Sequence, residues 1–343
     1  MIDAWPDEGV EGLGACPVCA SPDRTLLFEG LTDDIFRAAP GTWNLHSCAR
    51  CGTGYLDPRP TAGSIHLAYR GYHTHEEPRQ QPASELRGLR LAQRLLANGY
   101  KNWRFGTNLE PSSRWGAIIA FLLPVQRAIL DRQFRHLPAP VLNGRVLDIG
   151  FGDAGFMENA RAMGWQVVGT DFDPQVVESA RRRGFQVHLG TIDEVDGPFE
   201  VITMSHVIEH VHDPVSVLRA CHRLLAPGGI LWLETPNIKA AGLRRFGRHW
   251  RGLEPPRHLV LFNRKSLECA LAKTGYVQIR DLPQPSPVHG MYVMSARLRD
   301  GGDPYAPGHL PILLRVEMAL AKLFEWIWKP RREFLAVAAR KAL

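Results

Sequence analysis

The stretch "RVLDIGFGDAGFMENARAMG" at residues 145–164, followed by "QVVGTD" at 166–171, decides the fold. A short apolar run ends in a glycine turn, the next residues recur apolar at helical spacing, and a second apolar run follows. The alternation continues outward. "DPQVVESARRRG" (173–184) reads as a helix with Pro174 in its first turn, and "FQVHLG" (185–190) as a third strand. "FEVITMS" (199–205) is a fourth strand, "DPVSVLRACHRLLAPGG" (213–229) a helix closed by Pro-Gly-Gly, and "ILWLETP" (230–236) a fifth strand. Strands separated by helices of about 10–15 residues predict parallel βαβ units. The fold class expected is therefore α/β, a doubly wound, mostly parallel Rossmann-like sheet.

In such sheets ligands bind at the carboxyl ends of the strands. Gly150, Gly152 and Gly155 match G-x-G-x-x-G, and Asp171 ends the second strand about 20 residues on. Alone, that is a dinucleotide fingerprint, which would suit a nicotinamide-dependent oxidoreductase. Asp148 argues otherwise. A carboxylate two residues before Gly150 would repel a pyrophosphate, and no local Arg or Lys is expected to offset it. S-adenosylmethionine has no phosphate and carries a sulfonium and an ammonium, which suit an acid there. The alternative for Asp148 is a helix cap.

Two further constellations bear chemistry. "CPVC" supplies Cys16 and Cys19, and "CARC" supplies Cys48 and Cys51. Four thiolates in two knuckles describe a closed, tetrahedral structural zinc site. Such a small module has little core of its own, so loss of one ligand is expected to loosen it while the rest stays folded. Cys221 and Cys269 fall in amphipathic segments and read as buried spectators. "SHVIEHVHDP" (205–214) carries His206, Glu209, His210 and His212. His206, Glu209 and His210 fit H-x-x-E-H, but that metal chemistry needs one helix, and here only a loop is expected. His210 is the candidate general base, with Glu209 orienting it or both fastening the loop. In "EPPRHL" (254–259), His258 is a second catalytic candidate, and Arg257 either lines the acceptor pocket or makes a structural ion pair.

"VLDIGFGDAGF", "VVGTDFDP", the 199–237 segment and "GRHWRGLEPPRHLVLFNRKSLECALAKTGY" together resemble a class I S-adenosylmethionine-dependent methyltransferase. They are especially similar to the bacterial branch with an N-terminal cysteine-bearing module, which includes sugar C-methyltransferases. The resemblance covers 141–298 and 14–60. It implies Asp148, Gly150 and Gly152 around the methionine moiety, Asp171 on the ribose, Asp193 near the adenine, and Gly155, Phe172 and Ser205 as further cofactor contacts. Where the family usually has glycine this chain has Ala154, whose methyl is expected to press on the methionine tail. The activity implied is methyl transfer to a small molecule, foremost a sugar or nucleotide sugar. A zinc-module RNA methyltransferase is the alternative, disfavoured because basic and aromatic residues do not interleave near the knuckles.

Composition sets the frame. With 343 residues, 45% hydrophobic and 22% charged, the chain has material for a core, which excludes disorder and collagen-like architecture. The formal charge is +6, but 34 of the 41 basic residues are scattered arginines, so charge does not imply nucleic acid. The start has no basic n-region or apolar h-region, and "WGAIIAFLLPV" (115–125) is too short to span a bilayer, so a cytoplasmic protein is expected. The organisation expected is a zinc module (1–60), a helical linker or cap (61–140), a catalytic domain (141–300), and an amphipathic helix with a last strand (301–343). Polar residues 73–90 read as a linker or exposed helix start. Leu313, Val316, Leu320, Phe324 and Ile327 form a stripe expected to pack on the core, with a membrane-surface or partner contact through 310–329 as the alternative.

Overall fold

A computed structural model describes residues 4–70 and 87–343. The first part of the expected 73–90 linker lies outside the described residues, while its end opens helix α1 (Gly88–Phe105). Two shorter helices follow, α2 (Gly116–Leu122) and α3 (Pro124–Gln133). Next come β6 (Arg145–Ile149), α4 (Gly155–Ala162), β7 (Gln166–Asp171), α5 (Pro174–Arg182), β8 (Gln186–Leu189) and β9 (Phe199–Ser205). Then follow α6 (Pro214–Leu224) and β10 (Leu225–Pro236). The seven-stranded sheet runs β12-β13-β10-β9-β6-β7-β8, where β12 is Tyr276–Asp281 and β13 is Phe334–Lys341. Strands β6 to β10 pair in parallel, and β13 lies antiparallel between β10 and β12. This is the doubly wound sheet expected, with helices covering both faces, and its central strands are buried almost throughout.

Local chemistry explains the element starts. The Asp173 side chain accepts hydrogen bonds from the Gln175 and Val176 amides with Pro174 in the first turn, and Asp213 caps α6 in the same way. Two readings need correction. "LAPGG" does not close α6: Leu225 already pairs with Phe199, and the glycines form an irregularity before Ile230 resumes the ladder. "YVQIRD", not foreseen as a strand, forms the sheet edge because β13 offers it an antiparallel partner.

The N-terminal segment builds β2 (Arg24–Leu31), β3 (Trp43–Cys48) and β4 (Gly54–Leu56), after a short β1 (Val10–Glu11) paired with β5 (Arg59–Pro60). Its four-stranded sheet is completed by β11 (Val260–Leu261), which lies more than two hundred residues downstream in sequence. One apolar cluster runs from Cys16, Leu45 and Tyr55 through Leu259 and Phe262 to Ile202 and Leu233. The two segments therefore share a core. Among the described residues no helix is long and apolar enough to cross a membrane.

The remaining helices are α7 (Ala241–Phe246), α8 (Arg264–Lys273), α9 (Val288–Arg299) and α10 (Ile312–Ile327). The expected core stripe of α10 is not the packed one. Leu313, Val316, Leu320, Phe324 and Ile327 are all exposed, and Leu314, Met318, Ala321 and Glu325 face the protein. Both sets recur at three- and four-residue spacing, so periodicity alone could not choose between them.

Candidate active site

Two loops meet at the carboxyl ends of β6 and β9. Gly150 has φ +65°, and a Cβ there would lie 2.5 Å from Val207 Cγ2, so only glycine lets the glycine loop touch the histidine-bearing loop. The Gly152 amide donates to Asp171 Oδ2 (3.0 Å) and the Asp173 amide to Oδ1 (3.0 Å), which fixes the Asp171 carboxylate at the tip of β7. Phe172 is exposed beside it, and Asp193 is exposed with Arg223 3.8 Å away. Ala154 also has positive φ (+59°), but its methyl is buried with Phe151, Met157 and Val176. The methyl expected to press on a ligand tail is thus spent in the core.

Asp148 departs most from expectation. It is fully buried, and a guanidinium does offset it: Arg135, from the turn after α3, pairs with Oδ1, and Thr203 Oγ1 donates to the same oxygen at 2.8 Å. The electrostatic case against a pyrophosphate therefore loses its premise, since sequence distance hid a partner brought in by tertiary packing. Oδ2 is buried with no partner among the described residues. Burial raises the Asp148 pKa, with Arg135 opposing the shift.

A cleft of about 1090 Å³ opens here, walled by Arg132, Arg135, Gly155, Phe156, Ser205 and Trp232. Arg132 Nε donates to Glu234 Oε2 at 3.2 Å, and Glu234 at the end of β10 also receives His206 Nε2 at 3.2 Å. His206 Nδ1 lies 3.2 Å from Glu209 Oε1, while Thr235 Oγ1 donates to Glu209 Oε2 at 2.9 Å. Burial alone would lower the His206 pKa, but its two carboxylate hydrogen bonds outweigh this and raise it to about 9. His206 is therefore an imidazolium at neutral pH, and Glu234 is held down at about 2, burial notwithstanding, by His206 and Arg132. Sequence reasoning missed Arg132, Arg135 and Glu234. Glu234 could have been found, because "LWLETP" places an acid at a strand's carboxyl end.

Residues 208–210 form a single turn rather than a long helix, as the loop reading requires. His210 Nδ1 lies 3.0 Å from the Arg257 carbonyl, which can only accept, so Nδ1 carries the proton and Nε2 the lone pair. The Tyr69 hydroxyl lies 3.0 Å from the same nitrogen. The Glu209 carboxylate and one ring nitrogen each of His210 and His258 fall within 4.8 Å of one another. His258 is buried with Nδ1 against the Gly252 carbonyl at 2.8 Å, and burial lowers its pKa to about 4. Arg257 does not line a pocket. It is wholly buried, with Nη1 3.0 Å from Asp33, Nε 3.0 Å from Glu254 and a donated bond to the Ala68 carbonyl at 2.8 Å.

The four cysteines converge as their spacing requires. Cys16 and Cys51 Sγ are 3.7 Å apart, Cys19 and Cys48 3.4 Å, all four lie within 4.8 Å, and all are buried. Cys221 is buried in α6 and Cys269 half-buried in α8.

Comparison with known proteins agrees with this geometry. Residues 118–280 match the family described as "Methyltransferase domain". The ubiquinone biosynthesis O-methyltransferase of Xanthomonas oryzae pv. oryzae (strain PXO99A) is 36% identical over 103 residues, covering 27% of this chain and 43% of that protein. The enzyme of the same name from Xanthomonas campestris pv. campestris (strain B100) is 30% identical over 153 residues, covering 40% of this chain and 64% of its own length. The chain thus spans between 43% and 64% of these two relatives. A solved S-adenosylmethionine-dependent methyltransferase from Archaeoglobus fulgidus is similar at TM-score 0.43 and 19% identity, over 64% of this chain and 94% of that one. The strand order, rather than that superposition, carries the fold assignment. Residues 118–280 match a methyltransferase domain, and the sheet they contribute to has the doubly wound order of the α/β class.

Proposed function

We propose that this protein transfers a methyl group from S-adenosylmethionine to a hydroxyl of a small-molecule acceptor, with His210 as general base. The observation that supports this reading is the contact of the two loops at Gly150 and Val207, three residues before His210 on the same loop. The donor set fits the cofactor. Its methionine tail carries an ammonium and a carboxylate: the cleft wall offers Arg135 and Arg132 to the anion, and behind Arg135 lies Asp148, whose Oδ2 is buried with no partner among the described residues. Asp171 would take the ribose hydroxyls, with Phe172 and Asp193 on the adenine side and Ser205 towards the methionine. When bound, the cofactor supplies an electrophilic methyl on a sulfonium. The chain holds the acceptor in line and removes its proton.

For that proton, His210 has the right tautomer: Nδ1–H is committed to the Arg257 carbonyl, leaving Nε2 to accept. Glu209 holds the loop through Thr235 and His206 and is an orienting residue in this reading. His258, neutral and buried, stands behind His210 with ring centroids 4.7 Å apart. A hydroxyl acceptor is common to sugars and to the O-methylation named for the Xanthomonas relatives. The sugar rests on the sequence resemblance alone.

The four-cysteine cluster supports a structural zinc. Tetrahedral Zn–S bonds of about 2.3 Å place the sulfurs about 3.8 Å apart, and the paired separations of 3.7 and 3.4 Å are close to that. Elemental analysis should find about one zinc per chain, since one closed site is formed. Iron, or no metal, would overturn it.

The function is tested by calorimetry with S-adenosylhomocysteine and by labelled-methyl transfer to hydroxyl-bearing small molecules, with RNA as control acceptor. His210→Asn should lower kcat by about 10²–10⁴ with cofactor affinity nearly unchanged. Affinity and melting temperature falling together at near wild-type turnover would make His210 a loop fastener. Binding of NAD in place of S-adenosylhomocysteine would overturn the cofactor.

A further inference from the structure

The outward face of α10 is unlike that of a solvent-facing helix. At about 100° per residue, Ile312, Leu323, Val316, Ile327, Leu320, Leu313 and Phe324 fill a continuous arc, with Arg315 and Lys322 towards one flank and Glu317 on the other. The packed stripe of Leu314, Met318, Ala321 and Glu325 lies beyond that arc. Ile312 is 79% exposed, Ile327 67% and Phe324 55%, so an ordinary surface helix has been turned inside out. Scattered exposed apolar residues need no explanation, but a contiguous face of seven does.

The charges around the face are net positive. Arg315, Lys322 and Lys329 are exposed, and Arg331 and Arg332 follow within a turn of the helix end. Of the two acids on the helix, Glu317 is held by Arg245 at 3.0 Å, and Glu325 is buried, accepting from the Glu333 amide. A second copy of this chain packed face to face would bring basic rim against basic rim, which disfavours self-association. An anionic, apolar-cored surface meets both requirements. Trp328, 56% exposed, sits where the apolar face meets the basic cluster, the position tryptophan takes between hydrocarbon and headgroup. At about 24 Å for 16 residues, the helix would lie along a bilayer rather than cross it.

The chain beyond the helix approaches the His206 cluster. It runs into Phe334, whose ring packs edge-on against His206 at 4.6 Å, and Pro285, close in sequence to the α9 start, lines the cleft itself. A second apolar patch, Phe121, Leu122 and Val125 of the α2–α3 turn, leads into the α3 segment that carries Arg132 and Arg135.

We propose that α10 docks this protein onto an anionic phospholipid surface, apolar face in the headgroup–acyl boundary and basic rim on the phosphates, with the cleft at the membrane. The proposal goes beyond the methyl-transfer reading and stands without it. Its test is co-sedimentation of the full chain with vesicles of equimolar phosphatidylglycerol and phosphatidylcholine, against pure phosphatidylcholine. Binding is expected to the anionic vesicles and to weaken with salt. The double variant Leu320→Glu, Phe324→Glu should lower partitioning at least about 10-fold at an unchanged melting temperature, because neither side chain is packed. Arg315→Glu with Lys322→Glu should do the same through charge. No binding to either vesicle, equal binding to both, or a solution dimer that the Leu320→Glu, Phe324→Glu variant dissociates would overturn the proposal. Calorimetry with S-adenosylhomocysteine on the same preparation keeps that failure separate from failure of the cofactor reading.

Discussion

Two arginine–carboxylate clusters flank the histidine loop and differ in what seals them. Arg257 is closed on every side: Asp33 and Glu254 take its charge, the Ala68 carbonyl takes another N–H, and the Phe36 ring covers the guanidinium at 4.4 Å. Arg132 and Arg135 instead line the cleft, Arg132 41% exposed and Arg135 over the Phe156 ring at 4.0 Å, and the acid that Arg135 serves has a buried oxygen with no partner among the described residues. Complete satisfaction marks a scaffold, because nothing is left for a ligand to bind. Incomplete satisfaction leaves room for a further partner, whether ligand, ion or water. By that criterion Arg257 joins the N-terminal segment to the strands that follow, and Arg132 and Arg135 are the arginines that face the cleft.

The scaffold side should show the largest effects. Cys16→Ser is expected to lower the stability of the whole chain in one cooperative transition, rather than of the N-terminal segment alone. β11 pairs with β4, and the cysteines belong to the same apolar cluster as Leu233 and Phe262. A biphasic thermal melt, with only the first phase shifted, would restore the picture of an independent module. Arg257→Ala should cost about 3–5 kcal/mol, because Asp33 is left a buried carboxylate that has lost its cation, while Glu254 keeps Arg251. Urea unfolding measures it, and a loss below about 1 kcal/mol would place the pair with ordinary surface bridges.

The cleft side should respond to pH and to ligand more than to unfolding. His206 has its folded pKa raised to about 9 from 6.5, so its stabilisation is complete below 6.5 and is lost as pH rises through 9. His258 has its folded pKa lowered to about 4 from 6.5, so its contribution is complete above 6.5 and is lost as pH falls towards 4. Melting temperature against pH should therefore decline on both sides, with His206→Gln flattening the alkaline limb and His258→Gln the acid limb. The smallest stability change is expected for Arg132→Ala, within about 1 kcal/mol, since His206 still compensates Glu234. Its effect should appear in weakened S-adenosylhomocysteine affinity, and a variant that binds as well as wild type would remove Arg132 from the site.

The sequence by itself determined whatever depends on neighbours within a turn or a strand. Caps at Asp173 and Asp213, glycine at 150, the two cysteine knuckles and the order of strands and helices are all local, and so was the histidine loop. It also showed that α10 has two faces. Only the tertiary structure decided which face of α10 is covered, because two stripes of equal period differ in their partners and not in their spacing. The same holds for Arg135 beside Asp148, Asp33 beside Arg257 and β11 beside β4. An ion pair or a strand pairing between distant residues leaves no periodic trace, and its energy appears only once the chain has closed the loop that brings the groups together. The α10 helix shows the consequence: one helical period is compatible with a core stripe and with a face turned outward.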